Sequence, residues 1–284
     1  MGYHLRWLYH ADQLKHPLKR VGERGEGRWQ RISWEQALDE IADKLQELKS
    51  SYGPESLAFI EGTLRSDFYG IRARFQNLFG NPGNIGNPGN VCYCDIRALR
   101  TALTGTPCEA PNIGIARCIV LCGKNVSESD PILWQDIKEK LASQSRPKLI
   151  VIDPRQTEAA KAADIWLQIR PGTDTALFLA WINVIIEEQL YDKAFVNEWT
   201  FGFEQLKERA AEYTPEKVAD ITWIPPERIR ESARLYAASK PACLLSGVAS
   251  DQVGLNSIRA EQARICLRAL TGNMAADGAE PVVG

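Results

Sequence analysis

The chain has 284 residues, of which 44% are hydrophobic and 25% charged, a composition typical of a globular protein with a packed core. Its 34 basic and 36 acidic residues nearly balance and form no long run of one sign, so nucleic acid is not expected. Direct membrane insertion is not expected either, because no apolar run approaches the roughly 20 residues that span a bilayer. All three histidines lie within the first 16 residues, which argues against a hydrolase with a catalytic histidine elsewhere in the chain.

Residues 1–112 are predicted to form an N-terminal arm and an α/β unit. The arm, residues 1–32, is polar and punctuated by glycine, which indicates an irregular or hairpin-like segment. Ser33 is a good N-cap with Gln36 at capping-box spacing, and the amphipathic helix that follows is predicted to end at Gly53. The elements predicted after it are a buried strand at 56–62 and helices at 67–80 and 94–105.

Residues 113–284 alternate short apolar strands with helices, and proline and glycine in residues 106–115 mark the seam before them. Strands without internal charge that alternate with helices indicate a parallel sheet covered on both faces. The fold class expected is therefore α/β, with a Rossmann-like, doubly wound sheet. The predicted strands are 116–123, 148–153, 165–170 and 242–247, and the predicted helices are 130–144, 175–190 and 256–272.

Polar loops follow three of these strands, at the edge where parallel sheets bind ligands. Each loop alone also fits an ordinary turn, but their convergence predicts a nucleotide-shaped groove. A glycine there allows close approach of a phosphate, and a carboxylate suits a ribose or a purine edge. The first loop lacks G-x-G-x-x-G, which disfavours a nicotinamide-dependent dehydrogenase. The candidate residues are Gly123, Lys124 and Asn125, then Asp153, Arg155 and Thr157, then Gly172, Thr173 and Asp174.

The seven cysteines are an odd number, which argues for reduced thiols instead of a full disulfide framework. Cys92 and Cys94 follow the turn-rich stretch GNPGNIGNPGN and precede a helix whose dipole stabilises thiolate, the form that ligates metals. The absence of any C-x-x-C pair argues against a four-cysteine cluster within this chain. Four others, in apolar strands or on a helix face, are interpreted as buried thiols: Cys118, Cys122, Cys243 and Cys266.

Four motifs occur in order along the chain: RISWEQAL, VCYCDIR, CGKN and DPRQTEAAKAADIWLQIRPGTD. Together they resemble the molybdopterin oxidoreductases of the dimethyl sulfoxide reductase family over essentially the whole chain. The resemblance implies bis-molybdopterin guanine dinucleotide carrying Mo or W, and the strand-end residues as its binding site, joined by Gly247 and Gln252. It also implies Cys92 as catalytic metal ligand, with Cys94 as runner-up because Cys94 and Asp95 stand where the family has Gly-Pro.

Members of this family commonly carry an N-terminal iron–sulfur domain and continue into a C-terminal barrel, so the resemblance implies a fragment of a larger multidomain fold. A 4Fe-4S cluster is expected in the full-length enzyme but not ligated by this chain. The expected partners are a small-molecule substrate and either the missing segments or an iron–sulfur electron-transfer subunit. The chain as written is expected to be cytoplasmic, and a truncated N-terminus would hide an export signal.

The function expected from the resemblance is that of a molybdenum- or tungsten-dependent oxidoreductase, as a catalytic subunit or part of one, with two-electron or oxo-transfer chemistry at the metal. Two alternatives stay open at this point. One is a cofactor-binding remnant without catalysis. The other is a hydratase-type lyase of the same family, which turns over without any electron acceptor. The sequence selects neither the substrate nor the metal.

Overall fold

The computed structural model describes residues 6–62, 68–86, 94–105, 108–109, 112–251, 256–274 and 282–283. The chain divides into two compact units, Met1–Pro88 and Gly89–Gly284, which are described separately below. The domain boundary predicted at residue 112 stays a prediction. Within the described ranges, no helix combines the length and the apolar character that crossing a membrane requires.

The first unit begins with a hairpin, as the arm's composition predicted, in which β1 (Leu18–Arg20) pairs antiparallel with β2 (Trp29–Arg31). The amphipathic helix α1 (Trp34–Tyr52) follows. Ser33 caps it as predicted, because its Oγ accepts a hydrogen bond of 3.0 Å from the backbone N–H of Gln36. The helix ends at Gly53, whose positive φ of 84° suits glycine.

The predicted buried strand at 56–62 is the one element of this unit that the sequence analysis described wrongly. The strand β3 (Phe59–Ile60) has two residues, and Ile60 is 90% exposed. It pairs in parallel with β4 (Ile85–Gly86) in a sheet of two strands, and it packs on one face only, where the half-buried Phe59 ring lies 5.7 Å from that of Phe75. Helix α2 (Phe68–Phe79) lies between the two strands in the chain.

The second unit contains the parallel sheet that the sequence predicted. The strands are β5 (Cys108–Glu109), β6 (Cys118–Cys122), β7 (Lys148–Ile152), β8 (Ile165–Leu167), β9 (Ala242–Ser246) and β10 (Val282–Val283). The helices are α3 (Cys94–Thr104), α4 (Val126–Ser129), α5 (Pro131–Leu141), α6 (Glu158–Ala162), α7 (Asp174–Glu187), α8 (Lys193–Trp199), α9 (Phe203–Ala211), α10 (Pro215–Thr222), α11 (Pro226–Ala238), α12 (Val248–Asp251) and α13 (Ser257–Leu270).

The four strands β8, β7, β6 and β9 lie side by side in this order, and every pairing among them is parallel. The chain starts at β6 in the middle, moves outward through β7 to β8, and then returns to lay β9 on the other side of β6. The strand order therefore reverses between β6 and β9. Such a reversal opens a crevice at the carboxyl edge of the sheet, because the two neighbouring connections leave in opposite directions.

Helices cover both faces of this sheet, as the run of uncharged strand residues predicted. Alternate residues of β6 point into two separate hydrophobic clusters: Val120 belongs to one and Leu121 to the other. The larger cluster is built on α7, in which the continuous run 176–186 is buried. Trp181 in that run contacts the ring of Tyr236 at a centroid distance of 5.5 Å. The sheet is thus the middle layer of three.

Candidate functional site

The polar loops that the sequence singled out meet at the carboxyl edge of the sheet. Gly123 follows β6, Asp153 follows β7 and Gly247 follows β9. Backbone hydrogen bonds join the three strand ends: the N–H of Gly123 donates to the Ile152 carbonyl and the N–H of Gly247 to the Cys122 carbonyl, each at 2.9 Å. The predicted groove residues on these loops therefore share one edge.

Gly123 and Gly247 are in backbone contact at the point where the strand order reverses. A Cβ added at Gly247 would lie 2.8 Å from the carbonyl carbon of Gly123, 3.0 Å from Cα of Lys124 and closer still to the Gly123 oxygen. Gly123 itself has a positive φ of 56°. Both positions therefore require glycine, and the floor of this crevice is bare backbone.

The loop after Gly123 is held by its own side chains. The side-chain Oδ1 of Asn125 accepts a hydrogen bond of 2.8 Å from the Ser127 hydroxyl. The backbone carbonyl of Asn125 accepts another, also of 2.8 Å, from the Ser129 hydroxyl. Asn125 stands at the N-cap position of α4, although its side chain does not cap that helix. Lys124 beside it is half-buried. These bonds fix the path of the loop from β6 toward α5.

The loop after β7 combines a buried carboxylate with an exposed guanidinium group. Asp153 is 9% exposed, and its Oδ1 accepts a hydrogen bond of 2.8 Å from the backbone N–H of Arg155. The Arg155 guanidinium lies 3.1 Å from the Glu128 carboxylate and lowers the pKa of that carboxyl. Thr157 caps α6, since its hydroxyl oxygen accepts from the Ala160 N–H at 3.1 Å.

The loop before α7 contains the third predicted group. Gly172 has a φ of 81°, and a Cβ added there would meet nothing within 4 Å, so the backbone is open on that side. The Thr173 hydroxyl donates to the carbonyl of Arg170 at 2.7 Å and makes no side-chain cap at the start of α7. Asp174 is tied to β6, because its Oδ1 accepts from the Cys122 thiol at 3.3 Å.

A cleft of about 700 Å³ lies beside this last loop. Gly172 and Thr173 line it together with residues from α7, α9 and α13. Its polar side chains, which a bound molecule would meet, are Thr175, Arg209, Tyr213, Asn256, Arg259 and Gln262.

Two of the predicted site residues, Cys92 and Gln252, lie outside the residues that the structure describes. Cys94 begins α3, the helix that the sequence predicted at 94–105. The choice of Cys92 over Cys94 as metal ligand therefore stays a prediction.

From the sequence, Cys122 is interpreted only as a buried thiol, and two residues that join the site, Ser250 and Arg264, are not predicted. Cys122 is fully buried, which confirms that interpretation, and its Sγ also lies 3.5 Å from Ser250 Oγ. Burial and the neighbouring Asp174 raise the pKa of this thiol well above its usual value. Ser250 in turn accepts a hydrogen bond of 2.8 Å from Arg264 Nη1.

A signal for Arg264, but not for Ser250, existed in the predicted helix 256–272. Glu261, Arg264 and Arg268 recur at intervals of three and four, which places them on one face of the helix. The residues between them include Ala263, Ile265 and Leu267, which are buried as well. A charged stripe on a helix that is buried on several sides indicates an internal polar network instead of a solvated face.

A parallel sheet whose strand order reverses beside polar loops is the arrangement of α/β proteins that bind ligands at the carboxyl edge. The sequence pattern of the molybdopterin oxidoreductase family matches residues 14–279 of this chain. The chain belongs to this family, which confirms the resemblance drawn from its motifs. Membership implies a molybdopterin cofactor that carries Mo or W.

The relatives of the chain include enzymes with different reactions. The chain is 44% identical to acetylene hydratase of Syntrophotalea acetylenica over 95% of this chain and 37% of that protein. It is 35% identical to the thiosulfate reductase molybdopterin-containing subunit of Salmonella typhimurium, over 94% of this chain and 35% of that protein. The solved structure of acetylene hydratase from Pelobacter acetylenicus superposes with a TM-score of 0.82 at 42% identity and covers 98% of this chain and 38% of that one. The chain thus spans little more than a third of these relatives.

Proposed function

We propose that the carboxyl edge of the sheet binds molybdopterin guanine dinucleotide, and that the chain forms part of the catalytic subunit of a molybdenum- or tungsten-dependent oxidoreductase. The observation that carries this proposal is the reversal of strand order between β6 and β9, at which Gly123 and Gly247 meet without side chains. The order β8-β7-β6-β9 corresponds to the first four strands of a Rossmann-like sheet, in which dinucleotides lie across this reversal.

The residues at the strand ends fit a guanine dinucleotide in their chemistry. The positive φ values of Gly123 and Gly172 allow a pyrophosphate to approach the backbone closely. The guanidinium of Arg155 is exposed and pairs with the exposed carboxylate of Glu128, so a phosphate can replace Glu128 as its partner at small cost in free energy. The carboxylates of Asp153 and Asp174 accept hydrogen bonds from ribose hydroxyls or from the N–H groups of guanine.

The remaining predicted residues have supporting roles in this proposal. Lys124 and Asn125 lie in the loop after β6, where the strand order reverses, and their N–H donors suit phosphate oxygens. The hydroxyl oxygens of Thr157 and Thr173 already have partners inside the protein. We infer that Thr157 and Thr173 mainly hold the second and third loops in shape, and that Gly247 and Gln252 complete the edge at β9.

The metal in such a cofactor supplies two-electron or oxo-transfer chemistry when bound. The protein's part in the proposal is to hold the dinucleotide at the strand ends and to offer one thiolate from the segment before α3. Cys92 is the proposed ligand and Cys94 the runner-up, because thiolate is a soft ligand that suits these metals and tunes their redox potential. The neutralising charges for the phosphates come from Lys124 and Arg155.

A second candidate function is hydration without net redox change. It is favoured by the 44% identity and the TM-score of 0.82 to the two acetylene hydratases. Turnover assays separate the two candidates. Substrate consumption that requires an artificial electron donor or acceptor supports the oxidoreductase, whereas consumption in its absence supports the hydratase.

The binding proposal is tested by the content of guanosine monophosphate and oxidised pterin released by acid from the purified chain, after expression in a host that makes the dinucleotide. Wild type is expected to release both. Asp174→Asn keeps the shape and an acceptor oxygen but removes the charge, so about 10- to 100-fold weaker retention is expected. The matched control is Asp136→Asn on the exposed face of α5, which is expected to retain wild-type content.

Equal retention in wild type and Asp174→Asn contradicts the assignment of this carboxylate to the guanine dinucleotide. Folded wild-type protein that releases neither compound contradicts the binding proposal as a whole, and with it the alternative of a cofactor-binding remnant. Circular dichroism of the same samples verifies that each variant is folded.

A further inference from the structure

A buried cluster of four charged residues lies between α3 and α13 in the second unit. We call it the Glu261 cluster: Glu261, Arg264 and Arg268 on α13 and Arg100 on α3. The Glu261 carboxylate accepts from Arg100 Nε at 2.7 Å through Oε1, and from Arg264 Nε at 2.8 Å and Nη2 at 2.6 Å through Oε2. Arg268 Nη1 lies 3.7 Å from the same carboxylate.

The free energy needed to bury these four charges is too large for the cluster to be explained only as a link between two helices. Glu261 and Arg264 are fully buried, Arg268 is 2% exposed and the Arg100 side chain is 15% exposed. Removing such charges from water costs free energy that their attraction repays only in part, and apolar side chains of similar volume commonly pack as well or better. A buried ionic cluster is therefore better explained by the geometry that it fixes.

One end of the cluster reaches the strand ends. Arg264 Nη1 donates to Ser250 Oγ on the short helix α12 at 2.8 Å, and Arg268 Nη2 donates to the Leu244 carbonyl in β9 at 3.1 Å. The Cys122 thiol bridges Ser250 and Asp174 at 3.5 and 3.3 Å. Polar contacts thus run without a break from the cluster to the carboxylate of Asp174, which is proposed to bind the cofactor.

The other end of the cluster lies on the helix that follows the candidate metal ligand. Arg100 is six residues beyond Cys94, where α3 begins, and Cys92 precedes that helix start by two residues. A rigid helix transmits the position of Arg100 to its own first turn. The placement of α3 against α13 therefore sets where the start of α3 lies, two residues after Cys92 in the chain.

We propose that the Glu261 cluster is a positioning device, which holds α3, the helix that follows the candidate ligand Cys92 in the chain, at a fixed place relative to the cofactor-binding edge of the sheet. This inference rests on the proposed function for the role of Cys92 as metal ligand. It assigns Arg100, Glu261, Arg264 and Ser250 as positioning residues that act through the elements they join and do not touch the cofactor.

Glu261 stays ionised in the folded protein, as a cluster with a constant geometry requires. Burial raises the pKa of this carboxyl, but Arg264, Arg268 and Arg100 outweigh burial and bring it down to about 2. The carboxylate thus keeps its charge at every pH at which an enzyme of this kind is assayed.

The test compares Arg100→Gln with Arg97→Gln, a matched control on an exposed position of the same helix. Hydrogen exchange of α3 followed by mass spectrometry is the first readout, and it requires no cofactor. Arg100→Gln is expected to speed exchange of the α3 amides by about tenfold or more, with β6 and β7 unchanged and Arg97→Gln within about twofold of wild type. Unchanged α3 exchange in Arg100→Gln overturns the inference.

A second variant, Ser250→Ala, separates positioning from a local structural role. It removes the hydroxyl between Arg264 and Cys122, far along the chain from α3. Positioning predicts faster exchange in α3 by about threefold or more, whereas a local role predicts no effect there. Faster exchange spread evenly over the second unit in either variant indicates lost global stability and also overturns the inference.

The third readout is the electron paramagnetic resonance spectrum of the reduced metal in cofactor-loaded protein. Arg100→Gln is expected to shift the g values while pterin and guanosine monophosphate contents stay at the wild-type level. An unshifted spectrum at equal content overturns the positioning role. Wild type that holds no pterin refutes the proposed function instead, and the exchange data of the two variants then decide whether the cluster positions α3.

Discussion

Gly247→Ala is the change that tests the backbone contact at the strand reversal most severely. The added Cβ would meet three backbone atoms of Gly123 and Lys124, at 2.8 Å, 3.0 Å and closer, and no flexible side chain is there to move away. The carboxyl ends of β6 and β9 must therefore separate. This separation weakens the 2.9 Å hydrogen bond from the Gly247 N–H to the Cys122 carbonyl, which contributes about 1 kcal/mol. Overpacking adds about 1–3 kcal/mol.

The sum, about 2–4 kcal/mol of lost stability in the second unit, is measurable by a urea titration in which exchange of the α7 peptide is followed by mass spectrometry. Gly70→Ala in α2 is the control, because its Cβ meets nothing within 4 Å and alanine suits a helix interior. The control is expected to leave α7 unchanged. A Gly247→Ala protein as stable as wild type would refute the claim that bare backbone is required at the reversal.

Three further predictions concern buried or capping groups. Glu261→Gln is expected to cost about 3–5 kcal/mol at pH 7, measured by urea unfolding, because it leaves buried guanidinium groups without this carboxylate. Since the pKa of Glu261 falls from 4.5 to about 2 on folding, its stabilisation is present above pH 4.5 and is lost as the pH falls toward 2, a dependence that acid titration of Glu261→Gln should lack. Thr157→Ala should cost about 1 kcal/mol by thermal unfolding through loss of the α6 cap, and Thr157→Ser little. Iodoacetamide at pH 8 should leave Cys118 and Cys122 unlabelled until urea is added, because burial raises the pKa of both thiols; labelling of the folded protein contradicts this.

Local chemistry made several elements predictable. The cap of α1 depends only on Ser33 and the N–H three residues later, and the strands β6, β7 and β9 are uncharged apolar runs beyond their first residues. The prediction failed where burial depends on other parts of the fold: Phe59 and Ile60 are both apolar, but Phe59 packs against Phe75 whereas Ile60 is exposed. No elements were predicted for 193–238, where α8 to α10 have seven to nine residues each and α11 has 13, although Thr214 followed by Pro215 is a helix start in the sequence.

The candidate site was predictable to the extent that it lies in loops after strands. Gly123, Asp153 and Gly247 share one edge because parallel strands end on the same side, which strand prediction alone implies. The side-chain partners were not predictable in this way. The contact of Cys122 with Asp174 joins residues 52 positions apart, and that of Arg100 with Glu261 joins residues 161 positions apart, so only the packed structure brings each pair together.

Elemental analysis of the purified chain for molybdenum and tungsten, with fluorescence of oxidised pterin on the same sample, tests the central claim most directly. The claim predicts metal and pterin in near-stoichiometric amounts in wild type and loss of the metal in Cys92→Ala, with Cys94→Ala as the matched comparison. Loss in Cys94→Ala alone transfers the ligand role to that residue. Folded wild-type protein with neither metal nor pterin contradicts the claim that this chain holds the cofactor.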